Sequence, residues 1–144
     1  MRYSPWADAA ERHPDVDIER CDIAPVRGAW VPTEKVILLD SSLDVAGRRS
    51  ALAHELAHID LGHCASTGWF GQRMERDADH LASERLLPDL DRLAEALATH
   101  PLDPEAVAES LTVSVVVLRR RLRELTATDK DYIERRLARC ELGA

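Results

Sequence analysis

The spacing of hydrophobic positions changes character twice along the 144-residue chain. After a short helical stretch over Pro5–Arg12 and a turn at "HPD", the segment "VDIERCDIA" alternates partly with period two. "GAWVP" and "KVILLD" are strand-like, and the second is so nearly all apolar that it is expected to be central or covered on both faces. Gly28 and the Pro32-Thr33 step supply turn chemistry around them. Together they predict a small antiparallel sheet. From about Val45 the period becomes helical, carried by Ala46, Leu52, Ala53, Leu56, Ala57 and Ile59, with Gly62 as the stop. "CASTGWFGQ" (64–72) is expected to be a loop. A second helix, "MERDADHLASERLL", closes at Pro88, and "DLDRLAEALATH" makes a third. Pro101 and Pro104 then break any continuous helix. They divide the chain into residues 1–100 and a C-terminal helical segment, 101–144. In that segment "PEAVAESL", the turn "TVS" and "VVVLRRRLREL" have the cadence of a helix-turn-helix, and "DKDYIERRLARC" follows as a last helix. The fold class is α+β.

Composition narrows the picture. With 45% hydrophobic and 31% charged residues the chain can build a core and is not disordered. A net charge of −7 argues against a general nucleic-acid or membrane-surface role. No segment approaches the ~20 apolar residues of a membrane span, and the N-terminus lacks a signal-peptide core. Cys21, Cys64 and Cys140 are widely spaced and form no CxxC pair, which suits reduced thiols. The expectation is a soluble cytoplasmic protein.

The chemistry concentrates in "RRSALAHELAHIDLGH", residues 48–63. Four helical residues leave a net rotation of about 40°, so His54 and His58 stand one turn apart on one face. Two neutral imidazoles at that spacing suit Zn²⁺, which in catalytic sites takes three protein ligands and keeps one position open. Glu55 lies beside His54, close enough to act as general base on a water without binding the ion. The alternative is three polar residues sharing a helix by chance. On a helix with Leu52, Leu56 and Ile59 as neighbours, such residues would be costly without a partner. His63 follows His58 by five residues and is better explained as a helix-end residue than as the third ligand. In "ERDAD" (75–79), Glu75 and Asp79 share a face: Glu75 can bind the metal while Asp79 takes the outer N–H of a ligand imidazole. Asp77 is the second choice of ligand, about 200° from Glu75 on the helical wheel.

These two runs resemble the ImmA/IrrE family of metallopeptidases, whose members read R-x-x-x-A-H-E-x-x-H-x-x-x-G-H and then E-x-E-A-N-x-F-A-x-x-L-L-x-P. Arg49, His54, Glu55, His58, Gly62, His63, Glu75, Ala78, Ala82, Leu86, Leu87 and Pro88 fall on that pattern. Asp77, Asp79 and Leu81 depart from it, and Asp79 is similar instead to the Glu-x-x-x-Asp of gluzincins. The resemblance is good over about residues 28–88, looser over the helical end and slight over the first 25. It implies a zincin-like domain over 1–100, with a small sheet packed on the active-site helices. It also implies His54, His58 and Glu75 as zinc ligands, Glu55 as general base, and a phage or mobile-element repressor of the helix-turn-helix type as the protein cut.

Two other functions fit the same residues. One is a zinc-stabilised anti-repressor that binds a regulator without cutting it. The other is a DNA-binding regulator that sets Arg119, Arg120, Arg121 and Arg123 against phosphates. Against the latter, Thr112 stands where the turn glycine is usual, and Val115, Val116 and Val117 offer nothing polar to base edges. A structural or substrate-docking use of these arginines is therefore favoured over DNA binding. Retention of Glu55 favours catalysis, because a structural zinc needs no base. For an oxyanion-stabilising group the candidates are Tyr3, Tyr132, His63 and His80.

Overall fold

A computed structural model describes residues 2–64 and 67–143, which form seven helices and three strands. Helix α1 (Pro5–Arg12) starts where Ser4 accepts a hydrogen bond from the Ala7 N–H and Pro5 occupies the first turn. Strands β1 (Asp17–Cys21), β2 (Gly28–Val31) and β3 (Val36–Asp40) make one sheet in the order β1-β3-β2. As its apolar run predicts, β3 is central, and Ile37 and Leu39 are fully buried.

The sheet is mixed, which corrects the antiparallel expectation: β2 pairs antiparallel with β3, but β1 pairs parallel with it. Alternation of side chains carries no information on strand direction; the link between β1 and β2 decides it. That link crosses two strand spacings, about 10 Å, and Asp40 pins it. One Asp40 oxygen accepts from the N–H groups of Ile23 (3.0 Å) and Ala24 (2.9 Å), and the other from Ser42.

Helix α2 (Val45–Asp60) is capped by Asp44, which accepts from the Gly47 N–H at 2.7 Å. It has two apolar sides. Leu52 and Leu56 join Ile37, Leu39 and Ala9 under the sheet, whereas Ala53 and Ala57 join Ala78 and Ala82 of α3. Alanine on both sides of that seam lets the two helices approach closely. Helix α3 (Gly68–Leu86) begins well before the predicted Met74, so residues 68–72 of the predicted loop are helical. Two glycines cost only about 1 kcal/mol each in a helix, and Arg73 lies 5.5 Å from the Trp69 ring centre, one turn on. Residues 65 and 66 of that predicted loop lie outside the described residues.

The remaining helices are α4 (Leu90–Thr99), α5 (Pro104–Leu111), α6 (Val115–Arg123) and α7 (Ala127–Gly143). Their core continues through the Pro101–Pro104 turn: Leu93, Val107, Leu111, Leu118 and Ile133 belong to the same cluster as Ala53 and Ala78. Thr112, with φ 55°, turns the chain between α5 and α6. Its carbonyl accepts from the buried Arg49 guanidinium (3.0 Å), which also donates to the Tyr3 carbonyl (2.8 Å). The Ser114 N–H donates to Ser50 Oγ at 3.0 Å, so the α5–α6 turn is fastened to α2 just before the histidines. At the other end of α2, Asp60 receives Arg12, His13 and Arg85. Burial opposes its charge, yet these partners hold its pKa down at about 2. Among the described residues, no helix is long and apolar enough to cross a membrane.

Ala78→Leu lowers the unfolding free energy by about 1–3 kcal/mol by forcing α2 and α3 apart. The same change at exposed Ala138 moves it by less than about 0.5 kcal/mol. Urea denaturation of the two variants measures the difference; equal effects would mean that the seam is not tightly packed.

Candidate metal centre

His54 and His58 project from α2 with their Nε2 atoms 3.0 Å apart. Glu75 reaches over from α3, one carboxylate oxygen 3.0 Å from His54 Nε2 and the other 3.1 Å from His58 Nε2. One ligand atom from each residue lies within 4.8 Å of the others, so the three can hold a metal ion. Bonds of about 2.0–2.1 Å in tetrahedral geometry put ligand atoms ~3.3 Å apart. The observed spacings are close to that, and two imidazoles with a carboxylate form a donor set of the right chemistry. The group therefore fits a divalent ion.

The outer ring nitrogens are also engaged. His54 Nδ1 lies 2.8 Å from Asp79 Oδ1, and His58 Nδ1 lies 2.9 Å from His63 Nδ1. The second contact follows from how α2 ends. Gly62 has φ 68°, and the His63 N–H donates back to the His58 carbonyl at 3.0 Å, which swings His63 against the preceding turn. Asp79 and His63 thus orient the two rings from behind.

Burial opposes a charge on His54, but hydrogen bonds to Asp79 and Glu75 overcome it and lift its pKa to about 10. The hydrogen bond to His54 in turn holds the Glu75 carboxyl below its usual range. His58 is lowered by burial and then by the neighbouring His54 charge. Positive charge is therefore favoured at one point, between the carboxylates and the paired rings.

Glu55 sits beneath the pair, 7% exposed, and burial pushes its pKa up. Its carboxylate lies against Gly28 at the start of β2. A Cβ there would stand 3.3 Å from Glu55 Cγ and Oε1 and from the Leu38 carbonyl oxygen. The histidines and Glu55 open into a cleft of about 520 Å³. Gly28 and Trp30 of the edge strand β2 form one wall, Met74 of α3 another, and Val116 and Val117 of α6 a third.

The structure brings His54, His58, Glu75, Asp79 and Glu55 together and leaves Asp77 exposed outside the group. Of the candidate oxyanion groups only His63 lines the cleft. The Tyr3 hydroxyl donates to Asp8, that of Tyr132 to Asp91, and His80 pairs with Glu84 and Glu124. The four arginines do not act as one face. Arg119 and Arg123 are exposed, Arg121 is buried and donates to the Leu87 carbonyl at 2.9 Å, and Arg120 turns toward Asp79 and Glu124. The support from His63, the close approach of Gly28 and the α6 wall are not legible in the sequence. The Gly62-His63 pair is visible in it, but its geometry depends on the left-handed stop.

The fold class is α+β, and its centre is a His-His-Glu group able to hold a metal. The sequence profile of Peptidase_M78, described as the IrrE N-terminal-like domain, matches residues 9–123. The chain belongs to this ImmA/IrrE family of metallopeptidases. The match extends beyond residues 28–88, the stretch where the motif resemblance is good, into α1 and through α6. No curated protein matches the chain.

The approach of Gly28 to Glu55 predicts a measurable coupling. Gly28→Ala destabilises the protein by about 1–2 kcal/mol, and in a Glu55→Ala background it costs at least about 0.5 kcal/mol less. Chemical denaturation of the four proteins in the cycle measures this, and strict additivity would show that β2 does not confine Glu55.

Proposed function

We propose that the protein is a zinc-dependent endopeptidase of the cytoplasm that cleaves a helix-turn-helix repressor of a phage or mobile element and so relieves repression. The observation that carries the reading is the convergence of His54, His58 and Glu75 next to a buried Glu55 at the floor of an open cleft. His54 Nε2, His58 Nε2 and the Glu75 carboxylate would hold the ion, with Asp79 and His63 fixing the rings from behind. Zinc in such a site supplies Lewis-acid activation of a water and polarisation of the substrate carbonyl.

The chain's own residues do the rest. Glu55 takes the proton of the attacking water and passes it to the leaving amine. Its raised proton affinity suits a group that must hold the proton between the two events. The partner segment lies extended along the free edge of β2, where backbone pairing holds it and the apolar walls receive its side chains. Membership of the ImmA/IrrE family supports a repressor as substrate. The net charge of −7 and the engagement of Arg120 and Arg121 within the protein weigh against direct DNA binding.

Co-expression with a repressor encoded beside the gene tests the reading, wild type against Glu55→Gln, with intact-mass analysis of the repressor and metal analysis of both proteins. The expected result is repressor fragments with wild type only, and zinc in both. An intact repressor that co-purifies with both proteins would replace the peptidase by a non-catalytic anti-repressor.

A further inference from the structure

A chain of contacts runs outward from the ring of His54, beginning at Asp79 beside the cleft. Asp79 presents one oxygen to His54 Nδ1 at 2.8 Å, and its other oxygen lies 3.3 Å from Arg120 Nη2 on α6. The opposite nitrogen of Arg120, Nη1, donates to Glu124 Oε1 at 2.8 Å. Glu124 in turn uses its second oxygen on His80, which returns to α3 one residue after Asp79. A single line of contacts therefore runs from α2 through α3 to α6 and back to α3.

Asp79 needs such a partner. Its side chain is 37% exposed, so its carboxylate could turn toward water and leave the imidazole. A planar guanidinium anchored at its far end by Glu124 restricts that rotation. Arg120 itself is placed by buried neighbours: Leu118 is 1% exposed, and Arg121 is fixed to the Leu87 carbonyl at the end of α3.

We infer that Arg120 is a positioning residue for the metal centre: through Asp79 it fixes the ring orientation of His54, so that α6 helps determine how tightly the ion is held. This rests on the reading of His54 as a ligand, and it gives an α6 arginine a task inside the protein in place of contact with phosphates.

Two readouts test it, neither of them catalytic. The first is Zn²⁺ affinity by competition with a chromophoric chelator, for wild type, Arg120→Leu, Asp79→Asn and the double variant. Outer-sphere partners of ligand histidines typically contribute about 10–100-fold in affinity. Asp79→Asn is expected to fall in that range, and Arg120→Leu, one contact further out, to lose about 3–10-fold. In the Asp79→Asn background, Arg120→Leu should cost almost nothing more, and Arg120→Lys alone should recover part of the loss. The second readout is the His54 Nδ1–H proton resonance of the metal-free protein. It should be observable in wild type and lost to exchange in Arg120→Leu, even if both proteins melt at the same temperature.

An unchanged affinity and resonance in Arg120→Leu would overturn the proposal. So would fully additive losses in the double variant, because Arg120 would then act without Asp79. A wild type that binds no Zn²⁺ but shows the Arg120-dependent resonance would sink the metal reading while supporting the Arg120–Asp79–His54 link.

Discussion

Two helices that meet through alanines can come closer than two that meet through leucines, and the centre of this protein depends on that difference. Ala53 and Ala57 of α2 share a core with Ala78 and Ala82 of α3. Glu75 stands just before Ala78 on α3, and the two histidines follow and flank the α2 alanines. The same seam that excludes water therefore sets the reach of the Glu75 carboxylate, and the 3.0–3.1 Å spacings at the two Nε2 atoms follow from it. Bulk on the opposite side of α2 does other work. Leu52 and Leu56 seat the helix on β3, which brings β2 and its Gly28 up to Glu55.

Charge is distributed to match. The site gathers carboxylates around two imidazoles, so that positive charge is favoured where a metal would sit, while Glu55 is kept nearby in a buried setting that resists ionisation. Other ionic groups fix the framework. Arg49 joins the α5–α6 turn and the N-terminal segment to α2, and Asp60 gathers α1 and α3 at its far end. Helix α2 is thus held at both ends, with His54, Glu55 and His58 between the two fastenings.

Much of this could be read from the sequence because the signals are local. His54 and His58 one turn apart, Glu75 and Asp79 one turn apart, the helical period from Val45 and the Gly62 stop are all relations between residues close in sequence. What escaped is set by distant contacts or by chain direction. The parallel pairing of β1 depends on a link pinned by Asp40, and the early start of α3 overrides two glycines that suggest a loop. The arginine run of α6 looks uniform in one dimension. Packing sorts it into a buried donor to a carbonyl, a partner of Asp79 and two exposed cations. Two of the valines that offer nothing to a DNA base, Val116 and Val117, form an apolar cleft wall, and Val115 packs against the core.

The most direct measurement is a crystal structure of the zinc-loaded protein, with anomalous data collected on both sides of the zinc absorption edge. One strong peak per chain is expected, about 2.0–2.2 Å from Nε2 of His54, Nε2 of His58 and a carboxylate oxygen of Glu75, with a fourth position facing the cleft. A peak held by Asp77 or His63 in place of Glu75 would contradict it, as would a fourth protein ligand closing the site.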